Sequence, residues 1–237
     1  MASFYARIRL MENKYICINI IYLLMALCLF FDILYIISCT KKKNIIGLIV
    51  KTLAALCFIA IGYFGYLDNK TSFSYFILLG LILDGLGDLF LALRNIFAKN
   101  ITFFIGTLCF LAGHIMYIRG LFLIENNYLI FCIILGIFLG ALLFYLFNKV
   151  CRFGKALYIV GIAYTSIIMV MACLSVGVYM SNQITSNLVF MLGAGLFVSS
   201  DIILILYNFS KKEKWMHPIY SVLYFVAQIL ISFSLHI

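Results

Sequence analysis

Leu79-Gly-Leu-Ile-Leu-Asp-Gly-Leu-Gly-Asp-Leu-Phe-Leu-Ala-Leu93 is apolar enough to sit in lipid, yet it holds two carboxylates, Asp84 and Asp88, one helical turn apart. A carboxylate in the hydrocarbon region costs roughly 2.5–3.5 kcal/mol on insertion scales, so such residues face an interior cavity or a partner. With no water to satisfy the backbone, the stretch is expected to be a helix. As i and i+4 on that helix, the two acids share one face. Gly80, Gly85 and Gly87 thin the helix and let neighbours or a substrate approach.

The surrounding chain agrees. Of its 237 residues 66% are hydrophobic and only 11% charged, the balance of a multi-span membrane protein. Eight apolar runs of bilayer length lie near 16–38, 44–66, 73–93, 101–123, 128–147, 156–180, 186–209 and 217–236. The expected fold is therefore all-α, with eight transmembrane helices. One proline, Pro218 at the start of the last run, and no Ser/Gly-rich linker leave 1–237 as a single transmembrane domain. The first run is too long for a signal-peptide core and lacks a cleavage site, so it reads as a retained span. The eight cysteines lie mostly within apolar runs without a C-x-x-C pair, which points to neither a disulfide framework nor a zinc site.

The net charge of +9 does not indicate nucleic acid, because the basic residues sit mostly in short loops. Connections 1–2, 3–4, 5–6 and 7–8 carry eleven Lys/Arg, among them Lys43, Lys99, Arg152, Lys155 and Lys211. The other side carries five: Arg7, Arg9, Lys14, Lys70 and Arg119. The positive-inside rule then makes the odd-numbered connections cytoplasmic. A compact chain of this kind suggests a bacterial cytoplasmic membrane, with an internal eukaryotic membrane second.

A weak internal repeat links spans three and seven. An offset of 113 residues carries Leu79, Gly80, Leu83, Asp88, Leu91 and Leu93 onto Leu192, Gly193, Leu196, Asp201, Leu204 and Leu206. Four spans per half would make the halves parallel repeats and set Asp88 and Asp201 at similar depths.

The remaining intramembrane polar residues are few: Asp32, Lys51, His114 and Gln228, with Tyr117 and Tyr224 nearby. At 1.5 Å per residue, Asp32, Lys51, Asp84, Asp88, Asp201 and Tyr224 fall roughly 7–14 Å from the inner ends of their helices. That agreement in depth predicts one polar pocket, open towards the cytoplasmic half of the bilayer. Bland alternatives stand beside it. Lys51 with an Asp makes a structural ion pair as readily as a site, His114 can bridge helices, and Tyr224 and Gln228 can serve as interhelical glue. Gly136-x-x-x-Gly140 fits helix packing only. No H-x-x-x-H or E-x-x-H pair anchors a metal and no nucleophile elbow appears, so neither a metal nor another cofactor is expected.

Gly87-Asp88 in Leu-rich sequence, Gly113-His114-x-x-Tyr117, Ser200-Asp201 and Tyr224-Phe-x-Ala-Gln228, in that order, resemble the YhhN family of lysoplasmalogenase-like integral membrane proteins. Lys51 matches the family pattern, although Thr52 stands where a proline often follows; Asp84 departs from it, since a small residue is usual there. The resemblance implies an ether hydrolase that cleaves the vinyl ether bond of lysoplasmalogens of the choline or ethanolamine type to a fatty aldehyde and a glycerophospho-base. That chemistry needs a general acid and a group that stabilises the cation, so Asp88 and Asp201 are expected to divide the acid and base roles, with His114 assisting proton transfer. Lys51, Asp84, Tyr117, Tyr224 and Gln228 form the expected substrate-binding set: Tyr117, Tyr224 and Gln228 orient substrate or water, Lys51 pairs with a carboxylate or meets the phosphate, and Asp84 also acts on its neighbour Asp88. Membrane lipids and the lysophospholipid are the expected partners. The rival class is a proton-coupled transporter or lipid-moving protein, which would also carry intramembrane carboxylates and a repeat.

Overall fold

The computed structural model describes residues 2–42, 44–97, 100–151, 153, 155–210 and 212–237. Lys43, Lys99, Arg152 and Lys211, counted above among the loop cations, lie outside these residues, as do the side chains of Arg7, Arg9, Lys14 and Lys155. The described chain is all-helical: α1 (Ala2–Thr40), α2 (Asn44–Asp68), α3 (Ser72–Phe97), α4 (Asn100–Leu121), α5 (Leu129–Val150), α6 (Lys155–Ser181), α7 (Thr185–Phe209) and α8 (Met216–Phe233), followed by a short 3-10 turn at Ser234–His236. All eight helices are long and apolar enough to cross a membrane.

Several helix ends differ from the sequence expectation by a few residues, α3 reaching Phe97, α5 Val150 and α8 stopping at Phe233; two further ends have a legible cause. Helix α1 begins at Ala2 rather than near residue 16, because no glycine or proline interrupts the chain before Thr40. Helix α4 stops at Leu121, where its last turn tightens: Leu123 N–H donates to the Gly120 carbonyl and Ile124 N–H to that of Leu121. Such i→i+3 bonds satisfy carbonyls that a helix end leaves free. Pro218 falls in the first turn of α8, where it removes no intrahelical hydrogen bond.

Helices α2, α3 and α8 form the buried heart of the bundle, while α1 and α5 present most of their surface outward. Helix α3 packs along α2 and α4, α7 along α6 and α8, α1 along α2, and α5 along α6. Across the halves, α4 meets α6, and α8 meets α1, α2 and α3. Exchanging the halves by four helices maps the α4–α6 and α2–α8 contacts onto each other, while the α1–α8 contact has no comparable counterpart between α4 and α5. The α5–α6 contact is close because Gly136 and Gly140 have no side chain: a Cβ on either would strike the α6 backbone at Val170 or Ser166. Small residues at i and i+4 allow this approach, and dispersion holds it where lipid supplies no hydrophobic drive.

Candidate active site

A cavity of about 490 Å³ enters the bundle from the end that carries the 1–2, 3–4 and 7–8 connections. Lys51, Asp88, Tyr164, Asp201 and Tyr224 line it in the interior, and Lys42, Arg94 and Lys212 line it as well. A second, apolar cleft runs between α4, α5, α6 and α7, walled by Phe103, Phe144, Phe147, Val160 and Phe209. The two share Leu91, Phe103, Phe110, Tyr164, Asp201, Leu204 and Asn208. They therefore meet along one face of α7, where Asp201, Leu204 and Asn208 follow at helical spacing.

Asp88 of α3 is held from two neighbouring helices. Lys51 of α2 donates to its Oδ1 at 2.8 Å, and the Tyr224 hydroxyl of α8 donates to its Oδ2 at 2.7 Å. Both charges are almost fully buried. Taking two ions out of water is offset only by good geometry, and removing one partner of such a pair destabilises by about 3–5 kcal/mol. The Tyr224 ring is fixed edge-on against Phe58, Phe110, Phe197 and Phe225. The hydroxyl is thus aimed at Asp88 by packing.

Asp201 of α7 has a different partner. The hydroxyl of Tyr164 on α6 donates to its Oδ2, and no Lys or Arg contacts it among the described residues. Tyr164 is not among the residues the sequence singles out. The signal that finds it is the repeat itself, because the offset that carries Asp88 onto Asp201 also carries Lys51 onto Tyr164. One half therefore pairs its carboxylate with an ammonium and the other with a phenol, from equivalent positions on α2 and α6.

The remaining predicted residues lie apart from the open cavity. Asp84 accepts at one oxygen from Tyr117 Oη and from Gln228 Nε2, both at 2.7 Å. Gln228 Nε2 also lies 3.2 Å from Tyr224 Oη, so this inner network joins Asp88 through one tyrosine. Tyr117 crosses α3 over Gly80, where a Cβ would collide with its ring. Asp84, Tyr117 and Gln228 do not line the cavity. His114 Nδ1 lies 2.5 Å from the Phe110 carbonyl and must donate to it, since a carbonyl only accepts. Its Nε2 is buried without a hydrogen-bond partner among the described residues, and its ring stands edge-on to Phe197, Tyr164 and Tyr117. His114 makes no hydrogen bond to Asp88 or Asp201. Asp32 of α1 accepts from Ser221 on α8 at 2.5 Å, tying α1 to the cavity wall.

These features define a multi-pass helical membrane protein with a pair of carboxylates in a cavity that opens at one end of the bundle. The sequence model of the YhhN family matches residues 46–235, and the chain belongs to that family. No curated protein and no solved structure is significantly similar to it.

Proposed function

We propose that the protein is a lysoplasmalogenase-like hydrolase, acting on the vinyl ether bond of a lysophospholipid. The observation that carries this reading is the junction of a polar cavity and an apolar cleft at Asp201 and Tyr164. A lysoplasmalogen has its vinyl ether at the boundary between a glycerophospho head and a hydrocarbon chain. With the chain in the cleft and the head in the cavity, that bond lies against Asp201. Membership of the YhhN family, which includes lysoplasmalogenase-like members, supports the same substrate class.

The chemistry needs a proton on the alkene carbon, which leaves an oxocarbenium ion. Water then adds to give a hemiacetal and returns a proton. The hemiacetal collapses to aldehyde and glycerol hydroxyl, so one water is consumed and no net proton. Glycosidases pass through a related cation with two carboxyl groups in separate roles. Asp201, with a phenol as its only side-chain partner among the described residues, is assigned the delivery of the proton. Tyr164 occupies its Oδ2 and leaves Oδ1 for the alkene. Asp88, already the anion of the Lys51 pair, stabilises the cation and orients water, with Tyr224 fixing its second oxygen. His114 backs the Tyr164 ring at 5.7 Å between centroids. Asp84, Tyr117 and Gln228 position Tyr224 from beneath rather than touching substrate.

The test is purified protein in detergent, given a lysoplasmalogen and its saturated-ether analogue of equal chain length. Aldehyde is expected from the vinyl ether alone, because the saturated ether cannot form the oxocarbenium ion by protonation at carbon. Cleavage of neither would sink the hydrolase and favour a transporter or lipid-moving protein.

A further inference from the structure

The polar cavity has cations at two levels, and they are not equivalent. Lys51 is at carboxylate depth and is already neutralised by Asp88 at 2.8 Å. Nearer the helix ends stand Lys42, Arg94 and Lys212, all lining the cavity. None of these three pairs with a carboxylate among the described residues. Arg94 is held in place on both sides: its Nη1 donates to Asn208 Oδ1 at 3.3 Å, and its guanidinium lies 4.5 Å from the Phe103 ring centroid. Lys212 lies over the Tyr207 ring at 5.4 Å. Lys42 sits in the left-handed backbone region at φ 54°, uncommon for a residue with a side chain.

We propose that Arg94, Lys42 and Lys212 form a phosphate-binding mouth that takes the phosphodiester of a single-chain phospholipid and sets how deep its chain can enter. The inference rests on the hydrolase reading for the position of the reacting bond, but not for the phosphate itself. Depth fits well. Arg94 follows Asp88 by six residues on α3, and Asn208 follows Asp201 by seven on α7. At 1.5 Å per residue the mouth therefore stands about 9–10 Å above the carboxylates. Six bonds separate the phosphorus of a lysoplasmalogen from its first vinyl carbon, about 7 Å at the ~1.2 Å per bond of an extended chain. Adding one charge-assisted hydrogen bond of about 2.8 Å brings the vinyl ether level with Asp88 and Asp201. A phosphate on Lys51 would, by the same reckoning, push the bond about 10 Å past them, and would place an anion beside two carboxyl groups. Asn208 and Phe103, which hold Arg94, also wall the apolar cleft. The residues that hold Arg94 thus also wall the chain channel.

The decisive measurement uses an uncleavable probe, a saturated-ether lysophosphocholine, against the alkylglycerol of the same chain, both binding to the full chain in detergent. Arg94→Gln is expected to weaken the phospholipid about tenfold, since a charge-assisted contact is lost at a half-buried group. Lys42→Gln and Lys212→Gln, at exposed positions, are expected to weaken it about threefold each. The alkylglycerol should change less than twofold in all three, and Arg94→Lys should recover most of the loss. Wild-type protein supplies a check that needs no variant: added NaCl should weaken the phospholipid and not the alkylglycerol. Equal weakening of both lipids, or of neither, would overturn the proposal, as would a salt-independent affinity. Inorganic phosphate as competitor identifies the source: lipid binding at least tenfold tighter than the free anion marks a headgroup site, and equal affinity marks an anion site. Because the probe is not cleaved, a protein that releases no aldehyde yet shows this selectivity refutes the hydrolase and keeps the phosphate mouth.

Discussion

Asp88 and Asp201 lie 113 residues apart in the chain, on α3 and α7, and the side chains facing them differ. The partner from the preceding even-numbered helix is an ammonium in the first half, Lys51, and a phenol in the second, Tyr164. The two carboxyl groups thus sit in different company: Asp88 has Lys51 and the Tyr224 hydroxyl, Asp201 the Tyr164 hydroxyl. An ion-paired carboxylate is committed to being an anion, whereas one that meets only a hydroxyl is free to carry and release a proton. Reactions that pass through a cation need both kinds of group.

The largest effects should come from removing the carboxyl groups. Asp88→Asn and Asp201→Asn are each expected to lower aldehyde release by about 10³-fold, within the range of general acid–base contributions. Their stabilities should part company. Asp88→Asn leaves the Lys51 charge buried and unpaired, a loss of about 3–5 kcal/mol, whereas Asp201→Asn loses part of one hydrogen bond, about 1 kcal/mol. Thermal unfolding in detergent compares the two, and equal destabilisation would break the contrast between the halves. Near wild-type turnover in both variants would remove the carboxylates from the chemistry altogether.

Making the halves alike tests the division of labour more finely. Tyr164→Lys gives Asp201 an ammonium partner and should reduce kcat about 100-fold with little change in KM. Tyr164→Phe removes only the orienting hydroxyl and should reduce kcat about tenfold. If the lysine variant outperforms the phenylalanine variant, Asp201 is not the proton donor.

The smallest catalytic effects belong to the inner network. Asp84→Asn keeps an oxygen for Tyr117 and Gln228 and should leave turnover within about threefold. Gly80→Ala, by contrast, sets a methyl against the Tyr117 ring and should destabilise by about 1–3 kcal/mol through overpacking. A large loss of kcat in Asp84→Asn without loss of stability would show that the sealed network takes part in the reaction.

Much of this was legible before any coordinates. Runs of bilayer length with short charged connections leave only helices as spanning structures, so the eight helices follow from composition and spacing. The cost of a buried charge singled out Lys51, Asp84, Asp88 and Asp201, because such residues persist in lipid only with partners. The resemblance to the YhhN family marked Asp88, His114 and Asp201. Tyr164 escaped notice because one tyrosine among sixteen carries no hydropathy signal, although the repeat offset points straight to it.

What the sequence determined by itself was therefore the helices and their number, which depend on local pattern and on the bilayer as solvent. What only the tertiary structure decided was which polar residues meet. Asp84 and Asp88 share a helical face, yet one turn apart they enter different surroundings: Asp84 a sealed pocket under Tyr117 and Gln228, Asp88 an ion pair at an open cavity. The physical reason is that spacing fixes direction around one helix, while partners come from α2, α4, α6 and α8, whose rotation and approach are set by side-chain packing across the bundle.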